Sequence, residues 1–96
     1  MLNNIVGVPY NIASYATLHR LIAKECGYSV GFLNGFFGDL HLYEDHIDII
    51  KNQIKSNLFS LPELDISNTS LFNFNHKDVL LNNYNSNEIF KYKLFT

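Results

Sequence analysis

Apolar residues fall at Ile12, Tyr15, Ala16, Ile22 and Ala23, with Leu18 and Leu21 widening the stripe. Thr17, Arg20 and Lys24 leave only a narrow polar face. That spacing predicts a largely buried helix from Asn11 to Cys26. Pro9 stops any element before it and favours a helix start after it. Gly27 is placed to end the helix as a left-handed cap. A second amphipathic pattern follows, from Glu44 to Lys55. Tyr43, Ile47, Ile50 and Ile54 give its apolar face, and Glu44, Asp48, Lys51 and Lys55 its wet face. Its acids come early and its lysines late, which suits the helix dipole.

Between these helices, residues 30–42 carry glycines at 31, 35 and 38 among aromatics. We read a strand or extended chain there, the glycines allowing close backbone approach. Residues 57–75 are loop-like, with a short strand around Glu63 to Ile66. Asp78 to Asn82 reads as another strand. In Phe90 to Leu94, Phe90, Tyr92 and Leu94 alternate with Lys91 and Lys93. A period of two predicts a half-buried strand. The expected fold class is therefore α/β (mixed α+β): a long buried helix, strands and a second helix.

The chain has 96 residues, enough for one domain or part of one. With 47% hydrophobic residues its composition is globular, and 15% aromatics would suit a segment that packs against more protein. Seven basic and nine acidic residues give a net charge of -2, and the cations form no stripe, so nucleic-acid binding by phosphate neutralisation is not expected. No apolar run reaches membrane-spanning length, and no membrane partner is expected. The single cysteine, Cys26, cannot form an internal disulfide, which fits a reducing cytoplasm, bacterial or that of a phage host.

Three residues invite chemistry. Asn11 carries an amide that both donates and accepts, so it could read a ring edge. Equally, asparagine is a favoured helix N-cap. His41 and Tyr43, two apart on extended chain, point to the same side and could grip a hydroxyl, or simply pack as strand residues. The four histidines and one cysteine lack a zinc-type spacing, and no metal is expected. Cys26 ends an apolar helix and reads as a small packed hydrophobe, with no nucleophile context around it.

Gly7-Val8-Pro9-Tyr10-Asn11-Ile12-Ala13-Ser14-Tyr15 and Gly38-Asp39-Leu40-His41-Leu42-Tyr43, with His46 following, resemble the nucleotide-binding half of thymidylate synthase. The resemblance runs from about Asn3 to Thr96, through Asp78, Tyr84 and Lys91. It implies that residues 1–96 are a carboxyl-terminal part of such a domain. It also implies that Asn11 recognises the uracil ring of dUMP, and that His41 and Tyr43 hold the 3′-hydroxyl of its deoxyribose. A fixed amide matches uracil, which offers an acceptor at O4 beside a donor at N3, and mismatches cytosine, which reverses that edge. The implied reaction methylates dUMP to dTMP with 5,10-methylenetetrahydrofolate: a thiolate attacks C6, and C5 collects the one-carbon unit. Family members are homodimers.

The departures carry further expectations. The family's Pro-Cys-His nucleophile and Arg-Ser phosphate grip lie upstream of the first matched residue, so no catalytic residue is assigned within this chain. Arg20, the only arginine, falls on the polar side of a helix. Asn3 stands where the family has an aspartate that engages the pterin of the folate. The family's His-Pro before Ile-Lys corresponds here to Asn87-Glu88-Ile89-Phe90-Lys91, and its terminal Met-Ala-Val-like segment to Leu94-Phe95-Thr96. The chain alone is therefore expected to be inactive. It would act with a separately encoded amino-terminal half, or be a deoxyuridylate hydroxymethylase fragment, or be a non-catalytic remnant that binds partner protein.

Overall fold

The first long element is a helix, α1, from Gly7 to Cys26. It appears in a computed structural model that describes residues 2–3 and 6–94, with side chains from residue 6 onward. The helix begins four residues before the sequence pattern placed it. Pro9 lies inside its first turn, where a missing N–H costs nothing because that donor has no partner in the helix. Val6 occupies the N-cap position without a side-chain cap. At the other end Gly27 adopts φ 71°, and the N–H groups of Gly27 and Tyr28 donate to the carbonyls of Lys24 and Ala23 at 3.1 and 2.8 Å. The left-handed cap is as expected.

Two small sheets follow. Strand β1, Leu2–Asn3, pairs in parallel with β2, Leu40–His41, setting Leu2 opposite Leu40 and Asn3 opposite His41. After a 3-10 turn at Glu44–His46, helix α2 spans Ile47–Ile54. Its wet face is exposed and carries a 3.8 Å ion pair between Lys51 and Asp48. Strand β3, Glu63–Asp65, runs antiparallel to β4, Leu80–Asn82, with Leu64 opposite Leu81. The architecture is mixed α/β.

Three expectations need correction. Residues 30–39 form no strand, because the only extended partner described nearby, β1, is two residues long and reaches only Leu40 and His41. The segment from Asp78 splits into a 3-10 turn, His76–Asp78, and β4; the Asn75 side chain accepts from the Lys77 N–H and caps that turn. Residues 90–94 keep the predicted alternation at Phe90 and Tyr92, both half-buried between exposed Lys91 and Lys93, but among the described residues no strand pairs with them.

Helix α1 is also turned differently from its sequence pattern. Its Ile12, Tyr15, Leu18 and Ile22 are exposed, while Val8, Leu21 and Ala23 are buried. Cys26 is exposed rather than packed, since the last turn has little against it on that side. Lys24, on the side meant to be wet, docks instead. The ammonium of Lys24 donates to the carbonyls of Ile66, Ser67 and Thr69 at 2.7, 2.8 and 2.7 Å. Ser70 Oγ reaches Glu25 at 3.3 Å. In the same loop the Ser67 N–H donates to Asp65 Oδ1 at 2.9 Å. Backbone and side-chain hydrogen bonds from Ser67 hold the Asp65 carboxyl below its ordinary range, and the Lys24 charge adds to them.

One ammonium thus serves the carbonyls of Ser67 and Thr69 and shares that of Ile66 with the Thr69 N–H, fastening α1 to the loop after β3. Lys24→Met keeps the apolar stem and removes the charge. We expect it to cost about 1.5 kcal/mol, in the range for hydrogen bonds to charged groups, and to speed amide exchange across residues 66–70 about tenfold. Unchanged exchange in that loop would show that the fastening contributes nothing.

The elements do not close over a common core. The radius of gyration is 15.9 Å, where a compact chain of this length has about 12 Å. The accessible surface is 8112 Å², against roughly 5,700 Å² for a folded monomer of this mass. Phe32, Phe36, Leu58, Leu61 and Ile89 are almost fully exposed. The helix predicted as buried is therefore built for burial but lacks its cover in this chain.

Candidate functional site

His41 closes the parallel pair with β1, and Tyr43 follows it as an extended residue (φ -70°, ψ 139°) at the entry to the 3-10 turn. Both side chains do point the same way. Their rings meet edge to face with centroids 5.3 Å apart. His41 Nδ1 lies 3.6 Å from an Asp39 carboxylate oxygen, an ion-pair distance that is long for a hydrogen bond. Its other nitrogen, Nε2, is buried and has no hydrogen-bond partner among the described residues. A buried imidazole nitrogen without a partner is unfavourable. It is the kind of atom a bound hydroxyl would satisfy.

Below this pair sits His46, which the sequence pattern noted only as part of a motif. It is fully buried. Its ring meets Tyr43 at 5.5 Å and Tyr92 at 5.1 Å, edge to face in both cases. Its Nε2 lies 2.8 Å from the carbonyl oxygen of Lys93. Tyr92 in turn donates its hydroxyl to Gln53 Oε1 on α2. Desolvation raises the Tyr92 phenol above its ordinary range. The available signal was spacing: His46 lies three residues beyond Tyr43, one helical turn away, and Tyr92 is an inward position of the alternating tail.

Asn11 stands apart. It is exposed within α1, four residues beyond the helix start, so it is not the N-cap. Its Nδ2 donates to the Gly7 carbonyl at 2.9 Å. A carbonyl only accepts, so this bond fixes which end of the amide is nitrogen. One N–H and the Oδ1 make no hydrogen bond among the described residues. Asn11 lines one end of a groove of about 560 Å³ between α1 and residues 33–37, with Ile12, Tyr15, His19, Ile22 and Phe36 among its walls. His41 and Tyr43 do not line that groove. The structure brings the His41–Tyr43 pair together but does not seat Asn11 in the same cavity.

The remaining candidates are quickly placed. Asn3 is opposite His41 in the sheet, and its side chain lies outside the described residues. Of the tail, Leu94 is exposed, and Phe95 and Thr96 lie outside the described residues. Arg20 is exposed on α1. Among the described residues no helix is long and apolar enough to cross a membrane.

Comparison with known proteins gives this arrangement a context. The family model for thymidylate synthase matches residues 3–96. The chain is 51% identical over 87 residues to a thymidylate synthase of Staphylococcus haemolyticus, covering 90% of this chain and 27% of that protein. It is 42% identical over 88 residues to a thymidylate synthase of Listeria monocytogenes, covering 90% of this chain and 28% of the relative. A bifunctional dihydrofolate reductase-thymidylate synthase of Paramecium tetraurelia is 38% identical over 90 residues, which are 93% of this chain and 20% of that protein. The chain thus spans about a quarter of the length of the relatives it matches. A match over nearly every residue places this chain in the thymidylate synthase family, as part of that family's fold.

Proposed function

We propose that this chain is the nucleotide-recognising, carboxyl-terminal part of a thymidylate synthase that methylates dUMP to dTMP. Asn11 reads the uracil edge, its second N–H donating to O4 and its Oδ1 accepting from N3. His41 and Tyr43 hold the 3′-hydroxyl of the deoxyribose. The nucleophile and the phosphate grip come from the part of the family's fold that lies outside the match, and the assembled enzyme works as a cytoplasmic homodimer. The observation that carries this reading is the buried His41 Nε2, which has no hydrogen-bond partner among the described residues, beside Tyr43. A sugar hydroxyl can both donate and accept, so it fits such a pair.

The folate side fits less well. Where the family has an aspartate this chain has Asn3, whose amide can neither carry the charge nor accept a proton at neutral pH. In the complete enzyme 5,10-methylenetetrahydrofolate supplies the one-carbon unit, but no step of that chemistry falls to a residue of this chain. The amide at Asn3 also favours a second reading, a non-catalytic subunit that keeps the nucleotide site. Asn11 by itself is compatible with hydroxymethylation of the same substrate.

The sugar contact is directly testable. The chain assembled with the unmatched portion of the Staphylococcus haemolyticus relative should bind dUMP about tenfold more tightly than the analogue lacking the 3′-hydroxyl. His41→Ala and Tyr43→Phe should each erase most of that difference while lowering dUMP affinity. Equal affinity for the two nucleotides in the unsubstituted assembly would remove His41 and Tyr43 from the site.

A further inference from the structure

We infer that His46 is a positioning residue that ties the His41–Tyr43 pair to the chain segment at residues 92–94. The inference rests on the sugar-binding reading of His41 and Tyr43 for its consequence, but not for its geometry. The imidazole of His46 is fully buried. A leucine or phenylalanine would fill such a site without desolvating two ring nitrogens. The polar ring is matched instead by a polar partner. Nε2 faces the Lys93 carbonyl at 2.8 Å, and because a carbonyl only accepts, Nε2 is the donor.

The same ring touches both sides of the link. One edge meets Tyr43, which meets His41. Another meets Tyr92, whose hydroxyl is anchored on Gln53. Among the described residues no strand pairs with residues 92–93, and the Tyr92 anchor and the His46 bond both fasten them. If that segment detaches, His46 loses its acceptor and Tyr92 its stacking edge, and the face against which Tyr43 packs is no longer fixed. Docking of residues 92–94 and the geometry of the sugar-binding pair are therefore two readouts of one arrangement. By linkage, a nucleotide that favours the docked pair must hold the segment down by the same factor.

The test uses the full 96-residue chain at submicromolar concentration, followed by hydrogen exchange with mass-spectrometric readout. Amide exchange reports on residues 91–94, and exchange at the imidazole C2 position reports on each histidine separately. His46→Leu should speed amide exchange in the 91–94 peptide about tenfold and change the C2 exchange of His41, with β4 amides unaffected as the control for global unfolding. His46→Gln places an N–H donor near the position of Nε2 and should restore most of the protection. Unaltered tail exchange in His46→Leu would overturn the inference. So would a loosened tail with His41 unchanged, or a glutamine variant no better than leucine.

Should His46→Leu also lose the β4 protection, the unsubstituted chain decides: C2 exchange at His46 is expected to be at least tenfold slower than at exposed His76, and equal rates would overturn the inference. Addition of dUMP to the chain assembled with the unmatched portion of the Staphylococcus haemolyticus relative separates the two claims. Protection at His41 without protection at 91–94 would contradict the tie. No effect at His41 would count against the sugar-binding reading and leave the ligand-free result standing.

Discussion

Purified on its own, the 96-residue chain should release no thymidylate from dUMP and methylenetetrahydrofolate. The reaction requires a thiolate at C6, and removing the nucleophile from a covalent enzyme lowers turnover by about a million-fold. Cys26 is the only cysteine present. It sits exposed at the last residue of α1, beside Glu25 and the Gly27 cap. It also does not line the groove that contains Asn11. Cys26→Ser should leave the absence of turnover unchanged. Measurable dTMP formation by the purified chain, abolished by Cys26→Ser, would overturn the assignment of this segment as the nucleotide-recognising part alone.

The second large effect concerns association. The chain exposes roughly 2,400 Å² more surface than a compact monomer of its mass. That excess is of the size buried in a stable obligate interface. Much of it is apolar and contiguous: Ile12, Tyr15, Leu18 and Ile22 on α1 face Leu33, Phe36 and Phe37 across an open groove. A patch of this kind rarely stays wet in a monomeric protein. We expect the chain to run as dimers or larger species at tens of micromolar (an order of magnitude, set by apolar burial). Leu18→Lys with Phe36→Lys should weaken that association by about a hundredfold, because two charges would have to be desolvated at the contact. Sedimentation equilibrium measures it. A single monomeric species across the whole range, melting cooperatively, would mean that α1 finds its cover within the chain.

Much of the fold was legible in particular residues. Gly27 announced its own left-handed cap, and the acid-first, lysine-last pattern located α2 to within its 3-10 first turn. The short strand expected around Glu63 to Ile66, within a loop-like stretch, is Glu63–Asp65. The helix start was misplaced because Pro9 is equally at home just outside a helix and in its first turn. Lys24 was misread for a different reason. Periodicity records which side of a helix is polar, but not that a polar residue will find three carbonyls forty residues away. Residues 30–39 and 90–94 look like strands by composition and alternation, yet pairing depends on a neighbour that periodicity does not supply.

The site was legible to a different degree. The His41–Tyr43 pair followed from a spacing of two, and the structure sets the two rings side by side. Asn11 was left open between cap and ligand; its position inside α1 removes the cap and its bond to Gly7 orients the amide. His46 drew no attention as a side chain because nothing local marks a histidine as buried. Its significance comes from Lys93 and Tyr92, more than forty residues on.

Reassembly is the most direct test of the central claim. The chain would be mixed with the portion of the Staphylococcus haemolyticus thymidylate synthase that lies outside the match, and dTMP formation from dUMP and methylenetetrahydrofolate followed. We predict that activity appears only when both pieces are present, and that it falls when Asn11, His41 or Tyr43 is replaced. No activity from a mixture shown by sedimentation to form the complex would contradict the account and leave the chain a non-catalytic member of its family.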